Sequence, residues 1–112
     1  MWKIIVLYLK NFWNFIFSSS SEWVDIKGYE GIYQISDQGE IINLKELKTV
    51  STFIKKDGYV CVALTDNKGK TKQHRVHRLV AIHFLPNNEN ENIVTHIDGN
   101  KLNNDVSNLK WV

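Results

Sequence analysis

The chain has 112 residues, a formal charge of +2, 43% apolar residues and 23% charged residues. That length holds one small domain or two very small modules and buries a modest fraction of its surface. Four Trp, four Tyr and five Phe supply a core and exclude a wholly disordered chain, while the single cysteine, Cys61, excludes an internal disulfide or a cysteine-based zinc site.

Met1 to Phe17 is nearly all apolar or aromatic, broken by Lys3, Lys10, Asn11 and Asn14, and Ser18 to Ser21 follow. The longest unbroken apolar stretch, Ile4 to Leu9, is far short of the roughly 20 residues that span a bilayer. No small-x-small cleavage site marks a signal peptide. Residues 1–21 therefore read as an appended helix or leader with a serine linker, and a boundary falls near Ser21. The competing reading, a membrane tether, predicts sedimentation with membranes that is lost when residues 1–17 are removed.

From Glu22 the pattern is of short strands and turns. Trp23-Val24-Asp25-Ile26 alternates apolar and polar, Gly28 and Gly31 flank a turn, Ile32 to Ile35 is a second strand, and Glu40 to Leu44 follows the Asp37-Gln38-Gly39 turn. Tyr59 to Thr65 and Thr71 to Val76 are rich in strand formers, and the glycine-containing loop Asp66 to Lys70 joins them as a hairpin. Cys61 lies in the first of these runs and reads as a small buried residue. The period then changes: Val76, Leu79, Val80, Ile82 and Phe84 fit the apolar face of a short helix stopped by Pro86. Asn87 to Asn92 is a polar loop, Ile93 to Ile97 a strand, Asp98 to Lys101 a turn, Leu102 to Asn108 an asparagine-rich loop, and Leu109 to Val112 a last strand. The elements predict an α+β fold of small antiparallel β units plus a short helix.

Charge distribution is more telling than net charge. Lys68, Lys70, Lys72, Arg75 and Arg78 occur between Asn67 and Phe84 with His74, His77 and His83 and with no acid. Such a run suits phosphate contacts, although a solvated charged hairpin has the same composition. The bland alternatives elsewhere are specific. Trp23, Tyr29 and Tyr33 suit a small β core, Asp98 before Gly99 suits a tight turn, and Asn100, Asn103 and Asn104 suit bonds to their own loop backbone. His74 and His77 lack an acidic partner nearby, and His77 suits packing at the helix start.

The tail carries the chemistry. Ile93 to Val112 reads IVTHIDGNKLNNDVSNLKWV, a histidine ending one strand, a glycine turn, and an asparagine-rich loop returning to a second strand. Phosphodiester cleavage needs a base to take a proton from water, a divalent ion on the phosphate and a group to orient the base. His96 has the right chemistry for the base, and an amide such as that of Asn108 can accept a proton from the other ring nitrogen.

His96-Ile97-Asp98-Gly99-Asn100-Lys101, then Asn103-Asn104, then Asn108-Leu109-Lys110-Trp111, closely resembles the core of the HNH endonuclease family, and more narrowly its phage and intron-encoded homing endonucleases. His77-Arg78-Leu79-Val80-Ala81 with Phe84 and Pro86 resembles that family's lead-in helix. Trp23 to Gly39 is similar to a nuclease-associated modular DNA-binding motif that commonly precedes the core. The resemblance covers Glu22 to Val112.

It implies residues 22–50 as the DNA-binding motif and 51–112 as the HNH endonuclease domain. It also implies a metal-dependent endonuclease acting on double-stranded DNA, with no small-molecule substrate, in the cytoplasm of a bacterial host. His96 would be the general base and Asn108 the central asparagine that supports the loop and the orientation of His96. The cofactor implied is a divalent ion, Mg²⁺ by preference, in a ββα-metal fold. Two positions depart from the pattern. Thr95 stands where the family has an Asn or Asp metal ligand, and a neutral hydroxyl is a poorer ligand than a carboxylate. The third motif residue is expected roughly nine residues past Asn108, beyond Val112. The ββα-metal motif is thus expected to be incomplete, with one face of the final hairpin uncovered. These departures set up the alternative function, a non-catalytic DNA-binding module derived from such a nuclease.

Overall fold

The structure, a computed structural model, describes residues 21–112. The expected extension over residues 1–21, with its membrane-tether alternative, lies outside the described residues except for Ser21.

Four short strands open the fold as an antiparallel meander: β1 (Trp23–Asp25), β2 (Tyr33–Ser36), β3 (Ile41–Asn43) and β4 (Lys48–Thr49), in that order across the sheet. The β1–β2 connection is closed by backbone bonds from Tyr29 N to Ile26 O and from Tyr33 N to Tyr29 O. The β2–β3 turn is tighter and has a second role. Gly39 sits at φ +86°, and a Cβ there would lie 3.2 Å from both the Asn104 Cβ and the Val76 Cγ1. Glycine is needed both for the left-handed backbone and for the close approach. The neighbouring Asp37 carbonyl accepts a bond from Val106 N at 2.8 Å. One turn of the first sheet is thereby locked onto the C-terminal loop.

A second sheet runs β5 (Phe53–Ile54), β6 (Val60–Thr65) and β7 (Thr71–Arg75), with β6 in the centre. The β6–β7 hairpin forms where expected. Asp66 Oδ1 accepts from the backbone N–H groups of Lys68 and Lys70, which holds the loop. β4 and β5 were not expected. Each has two residues, too few to show alternation, and both are exposed.

β7 passes directly into the helix α1 (Val76–Phe84), with extended Arg75 as its N-cap and no side-chain cap. Val76, His77, Leu79, Val80 and Ala81 are its buried residues, and Leu85 closes it by donating to Ala81 O before Pro86. His83 ties the helix to the first sheet: its Nδ1 lies 2.7 Å from Leu79 O, and its Nε2 accepts from Lys27 N at 2.9 Å.

The chain ends in the hairpin of β8 (Val94–His96) and β9 (Leu109–Trp111), paired antiparallel with His96 opposite Leu109. Val94, His96 and Leu109 are buried, while Thr95 and Lys110 between them are exposed. One face thus packs inward against α1. Ile93, Thr95, Ile97 and Lys110 lie exposed on the other side. The expected asparagine-rich loop between the strands contains a 3₁₀ turn, Val106–Asn108, capped by Asp105, whose carboxylate accepts from Ser107 N.

A single hydrophobic cluster unites these parts. Ile26, Tyr29, Tyr33, Ile35 and Ile41 from the first sheet and its turn meet Val62 and Leu64, Val76, Leu79, Val80 and Ala81, Val94 and Leu109. Residues on both sides of position 50 share this core. Polar links cross the same seam, since Tyr33 Oη accepts from Thr65 N at 3.2 Å and Tyr29 Oη bonds His74 Nε2 at 2.8 Å. The two tyrosines are core residues, as expected for a small β core, and Cys61 is buried.

Candidate active site

His96 lies at the end of β8, 8% exposed, where the hairpin meets α1. Its Nε2 is 2.8 Å from the Asn104 Oδ1. With the amide oxygen facing it, Nε2 carries the proton and Nδ1 keeps its lone pair. The partner differs from the one expected. Asn108 does not reach the His96 ring. Its Oδ1 accepts from Asp98 N at 3.1 Å, and its Nδ2 donates to Asp98 Oδ1 and to Asn103 O, both at 2.9 Å. Asn108 therefore staples both sides of the loop, and Asn104, expected to bond its own backbone, holds the imidazole instead. The 3₁₀ turn explains the exchange: it carries Asn108 under the Asp98 turn and leaves Asn104 beside His96.

Asp98 is a turn residue, as its position before Gly99 predicts. Its carboxylate accepts from Asn100 N at 2.7 Å, from Asn103 Nδ2 at 3.1 Å and from Asn108 Nδ2. These bonds, the backbone one foremost, hold its carboxyl below the usual aspartate range.

The other side of His96 is a stack of rings. His77 packs on it with centroids 4.9 Å apart, and Tyr59 stacks on His77 at 4.9 Å and 19°. Tyr59 itself lies 6.0 Å from His96. Lys101 Nζ and the Arg75 guanidinium each lie 4.6 Å from the Tyr59 ring centre. His77 is buried and its Nδ1 has no hydrogen-bond partner. Burial first, and then the charges of His96 and Arg75, push its pKa down to about 4. At neutral pH His77 is an uncharged plate against which the His96 ring rests. His77 sits at helical spacing from Val80, Ala81 and Phe84, so its inward packing was legible. Its contact with His96 was not.

The basic residues divide. Lys68, Lys70 and Lys72 stand exposed on the β6–β7 hairpin. Arg75 is engaged by Asp57, Nη2 to Oδ2 at 2.6 Å, and Arg78 donates to Asn92 O at 2.7 Å while lying over Trp111. Both arginines thus bind protein groups. Asp57, missed as the partner of Arg75, has its carboxyl held below the usual range, first by the bond from Arg75.

HNH nucleases generally use a divalent metal ion. Among the described residues, no group of three or more His, Cys, Asp and Glu side chains is placed to hold one. Asp98 is occupied by its loop, and the Thr95 side chain stands on the exposed face, opposite His96 along the strand. The residues present do not make a complete metal centre. Among them, no helix is long and apolar enough to cross a membrane.

A hairpin that carries a buried, amide-held histidine at its turn, packed on a short helix behind a small β meander, is the arrangement found where the chain matches the HNH nucleases. Residues 74–112 match the HNH endonuclease family, and residues 22–65 match the NUMOD4 motif. The chain is thus similar to HNH homing endonucleases over residues 22–112. It is 53% identical over 91 residues to DNA endonuclease I-HmuI of Bacillus phage SP01, covering 81% of this chain and 52% of that protein. It is 48% identical over 79 residues to an uncharacterized HNH endonuclease of Acanthamoeba polyphaga mimivirus, covering 70% of this chain and 23% of that protein. A solved structure described as DNA binding and cleavage by the HNH homing endonuclease I-HmuI superposes with a TM-score of 0.74 at 52% identity, covering 81% of this chain and 52% of that chain. The chain thus spans about half the length of I-HmuI.

Proposed function

We propose that the chain is the cleaving part of a homing endonuclease that hydrolyses a phosphodiester bond in double-stranded DNA, with His96 as general base. The observation that carries this reading is the fixed His96 ring, bonded through Nε2 to Asn104 and backed by the neutral His77. In the reaction the Nδ1 lone pair takes a proton from water as the water oxygen bonds phosphorus, the phosphorus–oxygen bond to the leaving nucleotide breaks, and the leaving oxygen takes a proton from solvent. Asn104 then stabilises the imidazolium through its amide oxygen, and Asn108 keeps the loop in the shape that presents Asn104.

Lys68, Lys70 and Lys72 contact backbone phosphates and supply affinity. Arg75 and Arg78 act at one remove, ordering Asp57 with Tyr59 and the Asn92 loop. Residues 22–50 serve as the DNA-binding motif and 51–112 as the nuclease domain, at work in the cytoplasm of a bacterial host cell. Mg²⁺ is the divalent ion proposed for the reaction. Residues 21–112 do not complete a shell for it, Thr95 being no substitute for a carboxylate, so every step assigned belongs to the protein's own side chains.

That incomplete shell favours a second reading, a DNA-binding module without catalysis. Supercoiled plasmid carrying candidate target DNA separates the two. Conversion to open circle with Mg²⁺ or Mn²⁺, abolished by EDTA, supports the nuclease. Salt-sensitive gel-shift binding without conversion supports the module.

A further inference from the structure

The turn between β5 and β6 carries an exposed apolar pair followed by two lysines. Phe53 and Ile54 form a strand that, among the described residues, pairs with β6 alone, and both side chains are exposed, Ile54 by 61%. Lys55 and Lys56 follow directly. With Asp57 and Arg75 these residues line an open cleft of about 540 Å³. Lys101 reaches into the same turn, where its Nζ donates to Asp57 O at 2.8 Å. Four cations, Lys55, Lys56, Arg75 and Lys101, therefore stand on or beside this turn; Arg75 binds the Asp57 carboxylate, and Lys55 Nζ donates to Gln73 Oε1 at 3.2 Å on the exposed surface.

The turn is also close to the site. It ends on Tyr59, whose ring lies 6.0 Å from that of His96. Lys101 belongs to the loop between β8 and β9.

We infer that the β5–β6 turn is a DNA-contacting element of the cleavage site, with Lys55 and Lys56 on backbone phosphates and Phe53 and Ile54 packed on the sugars and base edges between them. The inference rests on the proposed action on DNA and adds the surface that seats the duplex beside His96. Charge complementarity selects the occupant: an apolar pair ringed by cations fits a polyanion with apolar sugar and base surface. Lysines beside an edge strand can also serve merely to block strand pairing, and the test separates that role.

The full chain is titrated with a fluorescein-labelled duplex over a range of salt concentrations, by anisotropy. The variants are Lys55→Ala/Lys56→Ala, Phe53→Ala/Ile54→Ala and, for a milder change, Ile54→Ser. Lys110→Glu, at an exposed position of β9, changes the charge by the same two units and is the charge-matched control. Lys55→Ala/Lys56→Ala is expected to weaken binding about tenfold more than the control and to reduce the salt slope by about 2, one per lost phosphate contact. Phe53→Ala/Ile54→Ala and Ile54→Ser are expected to weaken binding with the salt slope unchanged. Melting curves confirm folding, and Ile54→Ser carries the apolar arm if the double variant is unfolded. Equal losses in the lysine pair and its control overturn the inference while leaving DNA binding intact. So does unchanged affinity in Ile54→Ser, or sedimentation showing that Phe53 and Ile54 hold a second copy of the chain. A wild-type chain that binds no duplex overturns both this inference and the proposed function.

Discussion

Replacing Asn108 with alanine separates holding the loop from holding the histidine. The change removes three hydrogen bonds, from Asp98 N, to Asp98 Oδ1 and to Asn103 O. A typical bond contributes about 1 kcal/mol net. Asp98 is exposed and water recovers part of what it loses, so the expected destabilisation is about 2 kcal/mol. In a domain of this size that lowers Tm by about 10 °C. Asn104→Ala removes the bond to His96 Nε2, and its expected cost is about 1 kcal/mol. Thermal melting by circular dichroism reads the stability of both, and plasmid nicking below either Tm reads function. Both variants should lose nicking, but only Asn108→Ala should lose about 10 °C of Tm. Asn108→Ala melting like the wild type, or Asn104→Ala nicking like it, would refute the division of labour between the two amides.

The remaining predictions concern the packing around His96. The folded chain keeps His77 neutral down to about pH 4, whereas the unfolded chain protonates it near pH 6.5. Between those values the unfolded state binds more protons, so stability falls as the pH is lowered from about 6.5 towards 4. Denaturant titrations across that window should show the slope, and His77→Gln should flatten it; identical slopes would contradict the burial argument. Gly39→Ala forces an L side chain to φ +86° and against Asn104 and Val76. It should cost about 2 kcal/mol and also reduce nicking, because the strain falls on the residue that holds His96. Retained nicking at wild-type stability would show that the β2–β3 turn does not buttress the site.

What the sequence disclosed follows from where the information lies along the chain. The β6–β7 hairpin and α1 were legible because each repeats its period over enough residues. The two-residue strands β4 and β5 have no period to read, and their pairing depends on neighbours already in place. His96 and the importance of Asn108 came from the motif resemblance. The exchange between Asn104 and Asn108 could not, since both are amides in one polar loop and a 3₁₀ turn decides which reaches the imidazole. The lysines of the hairpin lie exposed, as both phosphate contact and a solvated charged hairpin require. Arg75 and Arg78 were not separable from them in sequence, because the groups that engage them, Asp57 and the Asn92 carbonyl, arrive from distant segments. The ring stack has the same origin: Tyr59, His77 and His96 come from three elements that only the shared core brings together.

The most direct test of the account is His96→Ala, compared with the wild-type chain in metal-dependent plasmid nicking, with DNA affinity measured on the same preparations. The account predicts that affinity is retained while nicking falls by about 100-fold or more, the contribution of a positioned general base. A variant that nicks as fast as the wild type would contradict the assignment of His96 as the base.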